Sequence, residues 1–283
     1  MPGTLFVVAT PIGNLEDLSF RALRTLREVD LIAAEDTRRT AKLLAHYEIR
    51  RPVVSLREHN EARETPRLVA RMAKGESVAL VSDAGTPGIA DPGARLVRSS
   101  REHGIGVVPI PGPNAIAAAL SVSGFPADEF VFLGFPPRGG QDRQDWLARV
   151  SEETRTTVFF ESPHRIGRTL TEVQSLLVDR PMLVGREITK VNEEFVISPI
   201  NVAGIRPQGE FTVTIGPRKA ITPRDIDPKM VVELFGRLTN MASVDETTAT
   251  KLVASAFSVT SSHVRKILKK AKILVDRQNK QVP

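Results

Sequence analysis

The feature that most constrains the fold of this 283-residue chain is the alternation of short apolar runs with helical patterns over its first hundred residues. Strands are expected at Leu5–Ala9, Leu31–Ala34, Val53–Ser55, Val78–Ser82 and Gly106–Ile110. Helices are expected around Ser19–Glu28, Arg38–His46, Glu61–Lys74 and Pro92–Glu102. Strands joined through helices pair in parallel, and a parallel sheet is covered on both faces. Ligands of such sheets bind outside the carboxyl ends of the strands, so the loops leaving those ends carry most of the functional information.

A helix near Asn114–Val122 is followed by Gly124-Phe125-Pro126 and by Pro136-Pro137-Arg138-Gly139-Gly140, chain breakers that place a change of domain between about 115 and 140. A second α/β unit follows, with strands at Thr157–Phe160 and Met182–Gly185 around a helix at Arg165–Leu177. Phe195–Ile197 and Glu210–Ile215 read as strands joined without helices, hence partly antiparallel. Thr222–Pro228 reads as a linker to three amphipathic helices near Lys229–Ala242, Glu246–Phe257 and Ser262–Val275. The expected organisation is therefore α/β, with domains at 1–115 and 116–221 and a small helical bundle at 222–283.

Composition narrows the function. With 41% apolar and 25% charged residues the chain has the balance of a soluble globular protein. It has no cysteine, which excludes disulfides, thiolate nucleophiles and cysteine-ligated zinc. Residues 1–10 lack a basic leader and break at Pro11, so they read as a first strand rather than a signal peptide. No run approaches the roughly 20 apolar residues of a membrane span. The expectation is a soluble cytoplasmic protein with no membrane partner.

The net charge of +6 is matched by residues 261–283 alone, which carry Arg265, Lys266, Lys269, Lys270, Lys272, Arg277 and Lys280 against Asp276. In the last helix Val264, Ile267, Leu268, Ala271 and Val275 share one face, and Ser258-Val259-Thr260-Ser261 offers hydroxyls to cap it. The pattern is helix–turn–helix-like with a basic last helix. A nucleic-acid contact and a merely solvated surface are both open on charge alone.

Three strand-end loops stand out: Thr10 to Asp17, Ser82 to Gly93, and Pro109 to Ala115, each rich in glycine and proline. Glycine permits close approach to a ligand, and proline lowers the cost of ordering the turn. A helix entered directly from such a loop presents free N–H groups. Asp83, at the end of a buried strand, suits an amine or a ribose hydroxyl. Three such loops in one topological position favour a small-molecule pocket. It is not a P-loop, because no G-x-x-x-x-G-K-[ST] occurs, and Gly104-Ile105-Gly106 precedes a strand, so it is not a dinucleotide fingerprint. Gly-x-Ser-x-Gly is absent too. His46, His59, His103, His164 and His263 have no metal-ligand spacing, and no metal site is expected.

The three loops, with Ala33-Ala34-Glu35-Asp36-Thr37-Arg38, Phe160-Glu161-Ser162-Pro163-His164-Arg165, Gly185-Arg186-Glu187-Ile188-Thr189-Lys190 and Gly209-Glu210-Phe211, resemble the tetrapyrrole (corrin/porphyrin) methylases. Within them they are similar to the bacterial branch that methylates ribose 2′-oxygens of small-subunit ribosomal RNA. The resemblance runs from Thr4 to the basic last helix. It implies two α/β domains with S-adenosylmethionine in the cleft between them, a homodimer, and a cytidine of the decoding region of 16S rRNA as acceptor. It implies cofactor contacts from Pro11, Gly13, Ile89, Asp83, Ala84 and Gly85, the last three near the methionine portion. Asn114 and Ala115 would face the middle of the cofactor, and Phe160, Arg186 and Thr214 the adenosine. Tetrapyrrole-modifying members usually carry a different first loop and lack the basic bundle.

The cofactor carries the difficult chemistry, and the protein must position the hydroxyl and accept its proton. Candidate catalytic residues are Glu35, Asp36, Glu161, Glu187 and Lys190, with His164 as a further alternative. Each has a structural reading as well: Glu35 or Asp36 as a helix cap, Glu161 as the partner of Arg165. Arg38, Arg39, Arg138 and Arg165, with Arg265, Lys266, Lys269 and Lys270, are candidate RNA contacts. One tryptophan and one tyrosine do not make a base-stacking platform, so recognition by shape and charge on the assembled subunit is expected. Two rival readings are a tetrapyrrole C-methyltransferase using the same cleft and a nucleic-acid-binding protein without catalysis. A nucleotide-binding α/β domain of unassigned chemistry is the reading without the resemblance.

Overall fold

The computed structural model describes residues 2–177, 180–218, 227–240, 244–257 and 261–279, with side chains of the last helix described through Ala271. They fall into two compact units, Met1–Arg218 and Lys219–Pro283.

The first unit opens with a wholly parallel sheet of β1 (Thr4–Val8), β2 (Leu31–Ala34), β3 (Val53–Ser55), β4 (Val78–Val81) and β5 (Gly106–Ile110), in the order β3-β2-β4-β1-β5. Period-two alternation sorts its side chains. Leu5, Leu31, Ala33, Val78 and Leu80 pack with Leu68, Val69 and Met72 of α3 (Glu58–Ala73) and Leu96 of α4 (Ala94–Glu102). Val8, Ile32, Ala34, Ala79 and Val81 pack with Ala22 and Leu26 of α1 (Phe20–Glu28) and Leu44 of α2 (Thr37–His46). The buried runs in the sequence thus reflect a sheet covered twice, with its active end free at the strand termini.

The second sheet is mixed: β6 (Phe130–Phe132), β7 (Thr156–Glu161), β8 (Met182–Arg186), β9 (Glu194–Ile197) and β10 (Phe211–Ile215), in the order β6-β7-β10-β8-β9. Only the β6–β7 pair is parallel. One face packs on α6 (Gly140–Glu152) and α7 (Ile166–Leu176) through Trp146, Val150, Phe159, Leu170, Val184 and Val213. The other takes α5 (Ala115–Ser123), whose Ile116, Ala119 and Leu120 meet Val158 and Leu183. Helix α5 leaves the first sheet and buries itself on the second, so the chain couples the two layers across the four residues that follow β5.

Strand β6 and helix α6 lie where the sequence suggested only chain breakers. Residues Pro136 to Gly140 lead straight into α6, and its buried Arg143, Trp146 and Val150 share one helical face. Elsewhere element ends shift by up to four residues, the last helix running on to Asn279. The carboxyl-terminal unit has the three expected helices, α8 (Pro228–Thr239), α9 (Glu246–Ala256) and α10 (Ser261–Asn279), around Val231, Val253, Ala254, Val264 and Ile267. Asp227 and Asp245 cap α8 and α9 by accepting from the Lys229 and Thr248 N–H groups. Arg265, Lys266, Lys269 and Lys270 are exposed. Residues 222–226 of the expected linker, 258–260 of the expected cap, Lys280, and the side chains of Lys272, Val275 and Arg277 lie outside the described residues.

The loop after β4 is anchored from a distance. Gly93, at φ 128°, gives α4 no side-chain cap, and a Cβ there would meet Leu80 Cδ2 at 2.6 Å. Glu61 of α3 supplies the cap instead, its Oε1 accepting from the N–H groups of Gly93, Arg95 and Leu96 at 3.1, 3.0 and 3.3 Å. Glu61→Ala is expected to cost about 1–3 kcal/mol, the range for losing charge-assisted hydrogen bonds, and Glu61→Gln less than half of that. Urea unfolding midpoints of the three proteins check it.

Candidate functional site

The three strand-end loops are tied into one platform. Thr10 and Gly85 exchange two backbone hydrogen bonds, at 2.9 and 3.0 Å, which join the first loop to the second. Gly85 adopts φ 81°, the left-handed region that favours glycine. The Thr86 hydroxyl donates to the Pro113 carbonyl at 3.3 Å, joining the second loop to the third. The first loop also reaches the second sheet. Asn14 N–H donates to Thr189 Oγ1, and a Cβ on Gly13 would fall 2.3 Å from Lys190 Cγ.

A cavity of about 400 Å³ opens between this platform and the second sheet. Ile12, Glu35, Arg39, the segment Asp83–Thr86, and Ile89, Ala90 and Asp91 line it from the first sheet's loops. Asn114 and Ala115 contribute the start of α5; Phe135, Phe160–Pro163, Ile188 and Glu210–Thr212 form the opposite wall. Phe135 and Phe160 stand 5.5 Å apart, tilted at 57°. Asn114 caps α5, its Oδ1 accepting from Ile116 N–H at 2.9 Å.

The wall is acidic, and its carboxylates differ in their partners. Glu161 is fully buried and saturated: Arg165 lies at 2.7 Å, Ser162 N–H donates to the same oxygen, and the Thr169 hydroxyl donates to the other at 2.7 Å. Arg143, buried against Glu172 at 2.5 Å, donates to Thr169 and so directs that hydroxyl's proton onto Glu161. Asp83 accepts Asp36 N–H at 2.8 Å and faces Arg39 at 3.5 Å. Glu35 and Asp91 have no ion-pair partner among the described residues. Burial, then the charge of Asp83, raises Glu35. Burial, then the charge of Glu35, pushes Asp91 up to about 6, with the Ser82 hydroxyl opposing the rise.

The sequence candidates are thereby sorted. Of the five catalytic candidates, Glu35 and Glu161 line the cavity. Asp36 caps α2 by accepting from Arg38 N–H and pairs with the Arg38 side chain, which holds its carboxyl below the usual range. Glu187 and Lys190 form a 2.8 Å pair beside the cavity. Burial opposes the Glu187 charge, but the bonds from Lys190 and the Glu210 N–H outweigh it and hold its carboxyl low. His164 is exposed and does not line the cavity.

Of the cofactor candidates, Asp83, Ala84, Gly85, Ile89, Asn114, Ala115 and Phe160 line the cavity. Pro11 and Gly13 line a neighbouring one. Arg186 is buried and paired with Glu194 at 2.9 Å, and Thr214 is fully buried within β10; neither reaches the cavity. The β10 residues that do are Phe211 and Thr212, at the other end of the strand. Arg165 is committed to Glu161, to the Pro136 carbonyl and to Ser162. Arg38, Arg39 and Arg138 are exposed. Sequence reasoning missed Asp91, Phe135 and Thr212. Asp91 stood in plain view within the second loop, but its carboxyl is perturbed by Glu35, which only the fold brings near.

This cavity, on a parallel sheet joined to a mixed one, defines a class. The chain belongs to the tetrapyrrole (corrin/porphyrin) methylases, whose family model matches residues 4–203. Among its relatives are proteins named ribosomal RNA small subunit methyltransferase I. The one from Xylella fastidiosa is 52% identical, over 68% of this chain and 71% of that one. That from Synechocystis is 46% identical over 79% and 81%. That from Thermotoga maritima is 45% identical over 75% and 98%. Solved structures similar in fold include uroporphyrin-III-C-methyltransferase from Thermus thermophilus, with TM-score 0.53 and 19% identity over 76% of this chain and 94% of that one. Diphthine synthase gives TM-score 0.57 and 18% identity over 76% and 90%.

A carboxyl raised in the folded protein binds its proton more tightly there than in the unfolded chain. Asp91 therefore makes its most favourable contribution while protonated and loses it as pH rises from about 4 to about 6. Asp91→Asn is expected to raise the melting temperature of the ligand-free protein by a few degrees at pH 8 and by about half as much at pH 5. Scanning calorimetry of both proteins at the two pH values checks this.

Proposed function

We propose that the protein transfers the methyl group of S-adenosylmethionine to the ribose 2′-oxygen of a cytidine in the decoding region of 16S rRNA, on the small ribosomal subunit. The observation that carries the reading is identity of 43–52% to relatives of that printed name over two thirds or more of the chain. A tetrapyrrole C-methyltransferase is not favoured, because the solved uroporphyrin enzyme shares the fold at only 19% identity.

The cavity suits the cofactor. Its volume falls in the roughly 300–1,000 Å³ range of small-molecule sites. Phe160, Phe135 and Pro163 offer an apolar wall for a heterocycle. Glu35 and Asp91, the carboxylates without a cation partner, suit a sulfonium and an ammonium. When bound, the cofactor supplies an electrophilic methyl on a good leaving group.

The protein's part is to hold the ribose oxygen, exclude water and accept a proton. Glu161 has both oxygens committed to donors, Glu187 is held charged by Lys190 and the Glu210 N–H on its Oε1, and Asp36 is a cap, which leaves Glu35 and Asp91 as the proton acceptors. Burial and the charge of Glu35 push Asp91 up to about 6, which leaves it ready to take a proton near neutral pH. Asp83, fixed by Asp36 N–H and Arg39, and Glu161, fixed by Arg143 through Thr169, are positioning residues.

The carboxyl-terminal unit adds affinity rather than chemistry. The T. maritima relative is covered almost end to end by three quarters of this chain. The carboxyl-terminal unit's exposed Arg265, Lys266, Lys269 and Lys270 suit phosphate contacts. Cytoplasmic location and a homodimer belong to the same reading.

The test is incubation with methyl-labelled S-adenosylmethionine and small subunits lacking the modification, followed by nucleoside identification. Labelled 2′-O-methylcytidine is expected; intact subunits without label would overturn the reading. The kcat/KM for S-adenosylmethionine, which reports groups of the free protein, is expected to rise with pH through about 6 as Asp91 loses its proton. Asp91→Asn should remove that inflection and slow turnover by about 10²–10⁴-fold.

A further inference from the structure

A second cavity, of about 280 Å³, lies beside the first and shares with it two residues, Arg39 and Asp83. Thr10, Pro11, Gly13 and Leu15 of the first loop, Thr40, Lys42 and Leu43 of α2, and Ser82 complete its lining. Its electrostatics are the reverse of its neighbour's. The first cavity sets Glu35, Asp83, Asp91 and Glu161 against Arg39, with Glu35 and Asp91 in no ion pair among the described residues, whereas the second sets Arg39 and Lys42 against Asp83. Asp83 is already engaged by Asp36 N–H at 2.8 Å. Lys42 makes no hydrogen bond or ion pair among the described residues, and the Arg39 side chain is 63% exposed in a loose 3.5 Å contact with Asp83. Spaced three apart on α2, the two cations stand on one face. The floor is rigid, because the Thr10 hydroxyl donates to the Ser82 carbonyl and the first loop is pinned to Gly85 and Thr189.

We infer that this second cavity seats the acceptor nucleotide, Lys42 and Arg39 holding an RNA phosphate while the attached ribose lies at the wall shared with the cofactor cavity. The inference rests on the function proposed above and adds the place where the RNA enters. Two adjoining pockets of opposite sign separate a cationic donor from an anionic acceptor, and the single Arg39–Asp83 contact between them is where the two ligands meet. Leu15 and Leu43 give the cavity an apolar edge for the sugar or base. Basic contacts of this kind position a strand without reading its sequence.

Steady-state methylation of small subunits by wild type, Lys42→Ala and Lys42→Arg tests it, with calorimetric titration of S-adenosylmethionine into each. Lys74→Ala is the charge-matched control, since Lys74 follows α3 where Met72 pairs with Gly3, at the amino end of the sheet. Lys42→Ala is expected to raise the KM for subunits about tenfold, with kcat within twofold and cofactor affinity unchanged. Its dependence of log(kcat/KM) on log salt should flatten by about one unit, and Lys42→Arg should restore most of the loss. An unchanged KM, an equal change in Lys74→Ala, or a loss confined to cofactor affinity would overturn the assignment. Wild-type protein that binds the cofactor but labels no RNA would instead remove the function reading, and this inference with it.

Discussion

Two backbone hydrogen bonds between Thr10 and Gly85 hold together what the rest of the site depends on. Loops at the carboxyl ends of parallel strands are ordinarily independent, each free to vary without its neighbours. Here the first loop is bonded to the second, the second to the third through Thr86, and the first again to the second sheet through Asn14 and Thr189. Helix α5 completes the coupling by starting at the platform and burying its apolar face on β7 and β8. The cavity is therefore bounded by elements that move together, which is what positioning a hydroxyl against a methyl donor demands.

The platform gathers carboxylates that a stability argument alone would not place together. Glu35, Asp83 and Asp91 face one space, and among the described residues only Asp83 of the three makes an ion pair, Arg39 and Arg57 acting on Glu35 from farther off. Burial and then repulsion raise Glu35 and Asp91, a cost to the ligand-free protein that is in place by neutral pH, and make the site receptive to positive charge. Such local cost is common where a site is prepared for a ligand rather than for folding. The Glu161–Thr169–Arg143–Glu172 network shows the contrary arrangement on the opposite wall, a buried charge with its lone pairs filled.

What the sequence disclosed follows from the range of the interactions involved. The parallel sheet was legible because burial on both faces leaves continuous apolar runs such as Leu31–Ala34, and the three loops because glycine and proline mark them locally. The pairing of Glu161 with Arg165 was legible from its i, i+4 spacing. Strand β6 and helix α6 were hidden by Pro136 to Gly140, whose breaker chemistry also serves as a short entry to a helix. Arg186 and Thr214 were named from strand-end motifs, but their direction depends on pairing with β9 and on position along β10. Asp91 was visible in the second loop but nothing local marked it, since its perturbation comes from burial and from Glu35 at the end of β2, the strand beside β4.

The central claim is that the cavity between the platform and the second sheet holds the methyl donor. Calorimetric titration of S-adenosylmethionine into wild type and Ala115→Trp tests it most directly, because an indole at the start of α5 would fill space that Ala115 leaves open. The account predicts one cofactor bound per wild-type chain. It predicts affinity at least tenfold weaker in the variant, with the melting temperature of the ligand-free protein little changed. Equal affinity in the two proteins would contradict it.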